Sequence, residues 1–162
     1  MSELLHPYWR IRYVAAPKAP AGGSPFASLL ASGDDRTSLV VHRGPTCFVL
    51  MNAHPYAPGH LMVLPNREVG ELVDLTAAER AEMMDLLVRC QSVLQKVMNP
   101  AGFNLGLNLG KAAGAGIPTH LHFHVVPRWE GDHNFMPVTA DTRLLPQALS
   151  ELWERLAGAF EA

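Results

Sequence analysis

Residues 119–128 read Thr-His-Leu-His-Phe-His-Val-Val-Pro-Arg, and no other stretch restricts the fold as tightly. Side chains of an extended strand alternate between its two faces. A strand here sets His120, His122 and His124 on one face and Leu121, Phe123 and Val125 on the other, against a core. A single histidine on a strand is usually a satisfied polar residue. Three in strict alternation, with β-favouring apolar residues between them, rarely arise for packing alone. Imidazole has the side-chain pKa nearest neutrality, so it can serve as base, acid, nucleophile or metal ligand. The stretch therefore marks a chemical site on a sheet.

The chain of 162 residues fits one domain with a sizeable core. Hydrophobic residues make up 48% and charged residues 17%, a globular rather than disordered balance. The formal charge of −2 carries no basic footprint for a long nucleic acid, though a small anion needs only a local positive site. Cys47 and Cys90 form no C-x-x-C pair and read as buried thiols in a reducing compartment. The first residues show no signal-peptide pattern, and no apolar run reaches the length of a membrane span. The expectation is a cytoplasmic protein with no membrane partner.

Order along the chain sets the fold class. Tyr8, Trp9 and Tyr13 could pack on the domain, pack on a partner or stack on a base, and the Pro/Ala/Gly-rich stretch from Ala15 to Gly23 reads as a connector. Ser24 as N-cap and Pro25 at the first position open a short helix through Leu30. Strand-like runs follow at Ser38–Arg43, Thr46–Asn52 and His60–Pro65, the last two separated by a loop with two prolines and a glycine. Thr76 and Glu79 form a capping box for a long helix to about Asn99, with Met83, Leu86, Leu87, Cys90, Val93 and Leu94 on its apolar face. Asp85 and Arg89 are spaced as a supporting pair. Gly102–Leu109 reads as a strand, Gly110–Gly116 as a small-residue loop, and Pro146 begins a last helix with Leu149, Leu152, Trp153 and Leu156 in one stripe. The sum is an α+β domain: a mostly antiparallel five-stranded sheet with two principal helices. Residues 1–37 form an N-terminal extension, residues 38–138 the domain, and residues 139–162 a C-terminal helical segment packing on it.

Two chemistries fit the histidines. They could ligate zinc through neutral imidazole, or the middle one could attack an electrophile while its neighbours hold its orientation and tautomer. The Gly/Ala loop just before them suits phosphorus as the electrophile, because its backbone N–H groups can approach phosphate oxygens and Lys111 adds charge. That loop is equally readable as a mere connector.

The run His120-Leu121-His122-Phe123-His124-Val125-Val126 resembles the signature of the histidine triad (HIT) superfamily. Asn52-Ala53-His54-Pro55-Tyr56-Ala57-Pro58-Gly59-His60 and the strand after it are similar to its other recurring stretch. Gly110–Gly116 and Pro127–Met136 resemble the bacterial branch that includes diadenosine tetraphosphate phosphorylases. The resemblance implies a HIT-like fold, a homodimer without a cofactor, and a nucleotide hydrolase or nucleotidyl transferase. Its substrate would be a nucleotide or a dinucleoside polyphosphate, the latter met by hydrolysis or, in a phosphorylase, by phosphate. By the motif, His122 attacks the α-phosphorus, His124 sits beside the phosphate or bridging oxygen, and His120 and His60 support them. Asn52, Asn108, Lys111, Gly114 and Gly116 fall at substrate-binding positions.

The chain departs from this pattern in two places. Relatives place thiols where Ser24 and Ala27 stand here, and a ligand histidine where Glu68 stands, so no structural metal is expected. Relatives often have Ser, Thr or Gln shortly before the first histidine; the stretch Gly116-Ile117-Pro118-Thr119 reduces side-chain donation to phosphate there, leaving backbone N–H groups. A histidine-ligated metalloenzyme and a nucleotide sensor without turnover stay as other readings.

Overall fold

The computed structural model describes residues 23–132 and 148–162. The N-terminal aromatics, the loop from His133 to Phe135 and the start of the last helix at Pro146 lie outside the described residues.

Ser24 caps helix α1 (Pro25–Ala31): its hydroxyl accepts the Phe26 N–H at 3.2 Å. Strands β1 (Val40–Arg43), β2 (Cys47–Met51) and β3 (Leu61–Pro65) follow. Helix α2 (Ala77–Met98) starts at the expected capping box, both halves of which are formed. Then come β4 (Gly102–Leu107), β5 (Phe123–Arg128) and α3 (Leu149–Glu161). All strand pairs are antiparallel, in the order β1-β2-β3-β5-β4. The expected α+β class and five-stranded sheet are present, with three α-helices among the described residues, one of them short.

Both faces of the sheet are covered, which is why every residue of β2 and β3 is buried. Cys47, Val49, Met51, Leu61 and Val63 face α2 and α3, joined there by Leu86, Cys90, Leu94, Leu152 and Leu156. Phe48, Leu50, Met62 and Leu64 face the other way, toward Phe26 of α1. Burial pushes the Cys47 thiol up to about 11 and the Cys90 thiol higher still, consistent with two free, inert core cysteines. Trp153 ties α3 to the sheet, its indole N–H donating to the Val40 carbonyl at 2.8 Å.

Several sequence expectations need correction. The first strand starts at Val40 instead of Ser38, because Leu39 adopts a left-handed φ of 59°. The Asp85–Arg89 pair gives way to a tertiary contact: Arg89 donates to the Phe160 carbonyl and its guanidinium lies 5.5 Å from the Phe160 ring centre. The main correction concerns the histidine strand. Regular pairing with β3 stops at Val63–Phe123, so only His124 belongs to β5. One residue earlier than His122 the chain has left β3: the Leu121 N–H is taken by the Val69 carbonyl at 2.7 Å. The alternation survives this departure. Leu121 and Val125 lie in the core beneath α2, while His122 sits against Phe26 on the opposite side.

One glycine has no substitute near the site. Gly59, at φ +78°, ends the loop before His60, and a Cβ there would lie 2.6 Å from the Met98 sulfur.

Candidate active site

Four imidazoles from two parts of the chain meet at one end of β3 and β5. His124 is delivered by β5, His60 by the residue before β3, and His120 and His122 by the extended approach to β5. The ring centres of His60 and His124 are 5.0 Å apart, those of His122 and His124 5.1 Å. His60 and His120 are each 1% exposed, so each ring nitrogen there needs a defined partner.

Those partners assign the protons. A backbone N–H can only donate and a carbonyl can only accept. His122 Nδ1 lies 2.8 Å from the His120 carbonyl, so Nδ1 carries the proton and Nε2 keeps the lone pair. His60 Nδ1 receives the Tyr56 N–H at 3.1 Å, with the Asn52 amide at 3.4 Å, so its proton is on Nε2. That Nε2–H donates to His124 Nδ1 at 2.9 Å, which leaves His124 with its own proton on Nε2. His120 donates Nε2–H to the Pro65 carbonyl at 2.8 Å. Its Nδ1 accepts from the Ser24 hydroxyl at 2.7 Å. One histidine thus presents a lone pair and its neighbour a hydrogen-bond donor, the arrangement that a nucleophile and a group steadying a departing oxygen require.

Burial pushes the pKa of His122 below its ordinary 6.5, with the His120 carbonyl opposing, and burial lowers His120 likewise. Both rings are neutral at neutral pH. Phe26 supplies part of that apolar cover, with ring centres 5.3 Å from His122 and 5.7 Å from His120. Tyr56, 42% exposed, lies over His60 at 4.7 Å and His124 at 5.7 Å.

The substrate-side candidates are less tightly gathered. Asn52 belongs to the His60 brace, and its side-chain oxygen accepts the His54 N–H at 2.8 Å. Asn108 lies one residue beyond the Leu107–Phe123 pair, on the His122 side. Lys111 is exposed on a single 3-10 turn, Lys111–Ala113, bounded by Gly110 at φ 73° and Gly114 at φ 88°. The Gly114 and Ala115 N–H groups are used within that turn, bonding Lys111 and Gly110 carbonyls at 3.0 and 3.2 Å. Gly116 follows, half-buried. Sequence reading missed Tyr56 and Phe26 as parts of the site. An aromatic between two prolines was a usable signal for Tyr56; nothing local marks Phe26.

The position where the resemblance implies zinc does not fit that ion. Ser24 offers a hydroxyl already bonded, Ala27 has no donor atom, and both His120 nitrogens are in hydrogen bonds. Glu68 is held by the Thr119 side chain and the Ser24 N–H, which lower its pKa. Among the described residues no group of three or more His, Cys, Asp or Glu could hold a metal.

A family model described as the HIT domain matches residues 34–131. An AP-4-A phosphorylase of Mycobacterium tuberculosis strain H37Rv is 42% identical over 97% of this chain and 83% of its own length. An asymmetrical bis(5'-nucleosyl)-tetraphosphatase of Schizosaccharomyces pombe is 35% identical over 59% of this chain and 52% of its own length. Among solved structures, a Zn-bound histidine triad family protein from Mycobacterium smegmatis superposes with a TM-score of 0.62 at 25% identity, covering 76% of this chain and 84% of that one.

The lowered pKa of His122 sets a pH signature. Between its native pKa and 6.5 the unfolded chain binds a proton that the native state refuses. Its contribution to stability is therefore full above pH 6.5 and is lost as pH falls, down to the native value. NMR titration of His122 should give a pKa below 6.5 and an Nδ1–H neutral tautomer; a pKa above 6.5 or an Nε2–H tautomer contradicts the assignment.

Proposed function

This chain belongs to the HIT domain family, and we propose that, as a nucleotide hydrolase or transferase of that family, it attacks a dinucleoside polyphosphate through His122. The observation that carries the reading is the proton assignment: a lone pair on His122 Nε2 beside a proton on His124 Nε2. His122 Nε2 bonds to the α-phosphorus as the bond from phosphorus to the departing polyphosphate oxygen breaks. That oxygen leaves as an anion, its growing charge met by a hydrogen bond from His124 Nε2–H. A second acceptor then attacks the phosphorus, sheds its proton to solvent and releases His122 with its Nδ1 proton still in place.

His60 and His120 support this chemistry in different ways. His60 turns the His124 proton outward to Nε2; His120 does the same for the His122 lone pair through its carbonyl. Asn52, Asn108, Lys111, Gly114 and Gly116 are the proposed substrate contacts. Lys111 is their one formal charge, and Asn108 stands nearest in register to His122. Since two N–H groups of the Gly114 turn are already used, phosphate oxygens fall to the remaining N–H groups and to side chains.

The acceptor is water in a hydrolase and phosphate in a phosphorylase. The similarity to a protein named AP-4-A phosphorylase, over nearly the whole chain, favours phosphate. The rest of the proposal is a cytoplasmic protein, with residues 38–138 as its HIT domain between the N-terminal extension and the C-terminal helical segment. Two free buried thiols suit a reducing compartment. Among the described residues no helix is long and apolar enough to cross a membrane.

Diadenosine tetraphosphate separates the acceptors. With phosphate present the products should be ATP and ADP; ATP and AMP in its presence identify a hydrolase. His122→Ala should lower turnover by more than ~10³-fold, since it removes a bond-forming group held at high effective concentration. Turnover within tenfold of wild type would refute the nucleophile.

A homodimer is proposed through β4. Among the described residues this strand pairs with β5 alone, which leaves its other edge open there, and Leu105 and Leu109 are 51% and 40% exposed. An open apolar edge is a template for pairing with a second copy. Sedimentation should give twice the chain mass of 17.7 kDa, falling to the chain mass in Leu105→Lys; a wild-type monomer at every concentration rules the dimer out.

A further inference from the structure

We propose that Ser24 is a positioning residue for the reaction, anchored by Glu68 and acting through His120 on His122; this rests on His122 being the nucleophile. Ser24 is 2% exposed and uses every polar atom on that side of the helix start. Its N–H donates to Glu68 Oε2 at 2.8 Å, its hydroxyl oxygen accepts the Phe26 N–H at 3.2 Å, and its O–H donates to His120 Nδ1 at 2.7 Å. Thr119, the residue before His120, together with the Ser24 N–H, favours the ionised Glu68 carboxylate and lowers its pKa. The start of α1 is therefore fastened to the Glu68 carboxylate by one atom of Ser24 and to the histidine segment by another.

A helix cap needs only an acceptor for its first N–H groups. Ser24 does more, because its one hydroxyl proton is spent on a catalytic-segment imidazole. With Pro65 holding Nε2 and Ser24 holding Nδ1, the His120 ring is fixed at both nitrogens in a site 1% exposed. That fixes the residue whose carbonyl receives the His122 Nδ1–H. Phe26, two residues on, meets both rings. Removing the Ser24 hydroxyl leaves a buried acceptor on His120 without its donor, a state costly enough to make the ring move or take up a proton. The carbonyl moves with it, and the His122 lone pair loses its aim.

Ser24→Gly isolates this role, since glycine is itself tolerated as a cap at a cost of only a few tenths of a kcal/mol. Ser24→Thr keeps the hydroxyl. In protein labelled with ¹⁵N-histidine, the His120 Nδ1 resonance should move in S24G and return in S24T. The hydrogen-bonded His122 Nδ1 proton, sharp in wild type and S24T, should broaden by exchange with water in S24G. With diadenosine tetraphosphate, kcat of S24G should fall by 10-fold to roughly 100-fold at a KM within about twofold, the scale of a sub-ångström misplacement of a reacting group. Glu68→Gln should show a smaller change in the same direction.

An S24G protein with wild-type kcat, or with lowered kcat but unmoved His120 and His122 signals, overturns the positioning role and returns Ser24 to capping alone. The nucleophile assignment fails separately. If His122→Ala retains turnover, His122 is not the bond-forming group, while the two imidazole signals still report whether Ser24 holds His120.

Discussion

The hydrogen bond from His122 Nδ1–H to the His120 carbonyl decides which of two chemically similar nitrogens holds the lone pair. A neutral imidazole exchanges tautomers readily in water. Here the choice is made by a carbonyl two residues back on the same chain, at 2.8 Å and out of solvent. Much of the surrounding structure serves to keep that carbonyl in place. Leu121 anchors the reverse side in the core, the Val69 carbonyl holds the Leu121 N–H, and Pro65 holds the His120 ring. The departure of the chain from β3 before Phe123 is part of this arrangement, because a continued ladder would compete for the same backbone groups.

The two halves of the site are built by the same rule with different partners. His122 is set by a carbonyl and so exposes an acceptor; His60 is set by the Tyr56 N–H and so passes a donor to His124. Neutrality comes from burial, which disfavours the charged form of His120 and His122. Glu79 shows the opposite case elsewhere in the chain: Arg67 first, helped by the Thr76 cap, holds its carboxyl down to about 2 and keeps it charged. The same fold thus holds one buried group ionised and two buried imidazoles neutral.

Local pattern made part of this legible in the sequence. Period-two alternation revealed which side of residues 120–125 faces the core, and it held even where the ladder did not. The capping box at Thr76 and the cap at Ser24 were readable because each lies within a few residues of its partner. What could not be read joins distant residues. Ser24 meets His120 across 96 positions and Glu68 across 44. The end of β5 pairing depends on Val69, and the fate of Arg89 depends on Phe160. Substrate positions in the Gly110–Gly116 loop were named from resemblance, and the geometry shows two of the loop's N–H groups turned to its own carbonyls.

The proposed reaction carries a nucleotide through a covalent bond to His122 Nε2. Rapid acid-free quenching of the protein with α-labelled diadenosine tetraphosphate, followed by peptide mass spectrometry, reads this directly. Attack by His122 leaves one adenylyl group on the peptide spanning residues 119–128, with fragmentation placing it on His122. An adduct on His120, His124 or His60, or inversion of a chiral α-phosphorus with no adduct at any time, contradicts it.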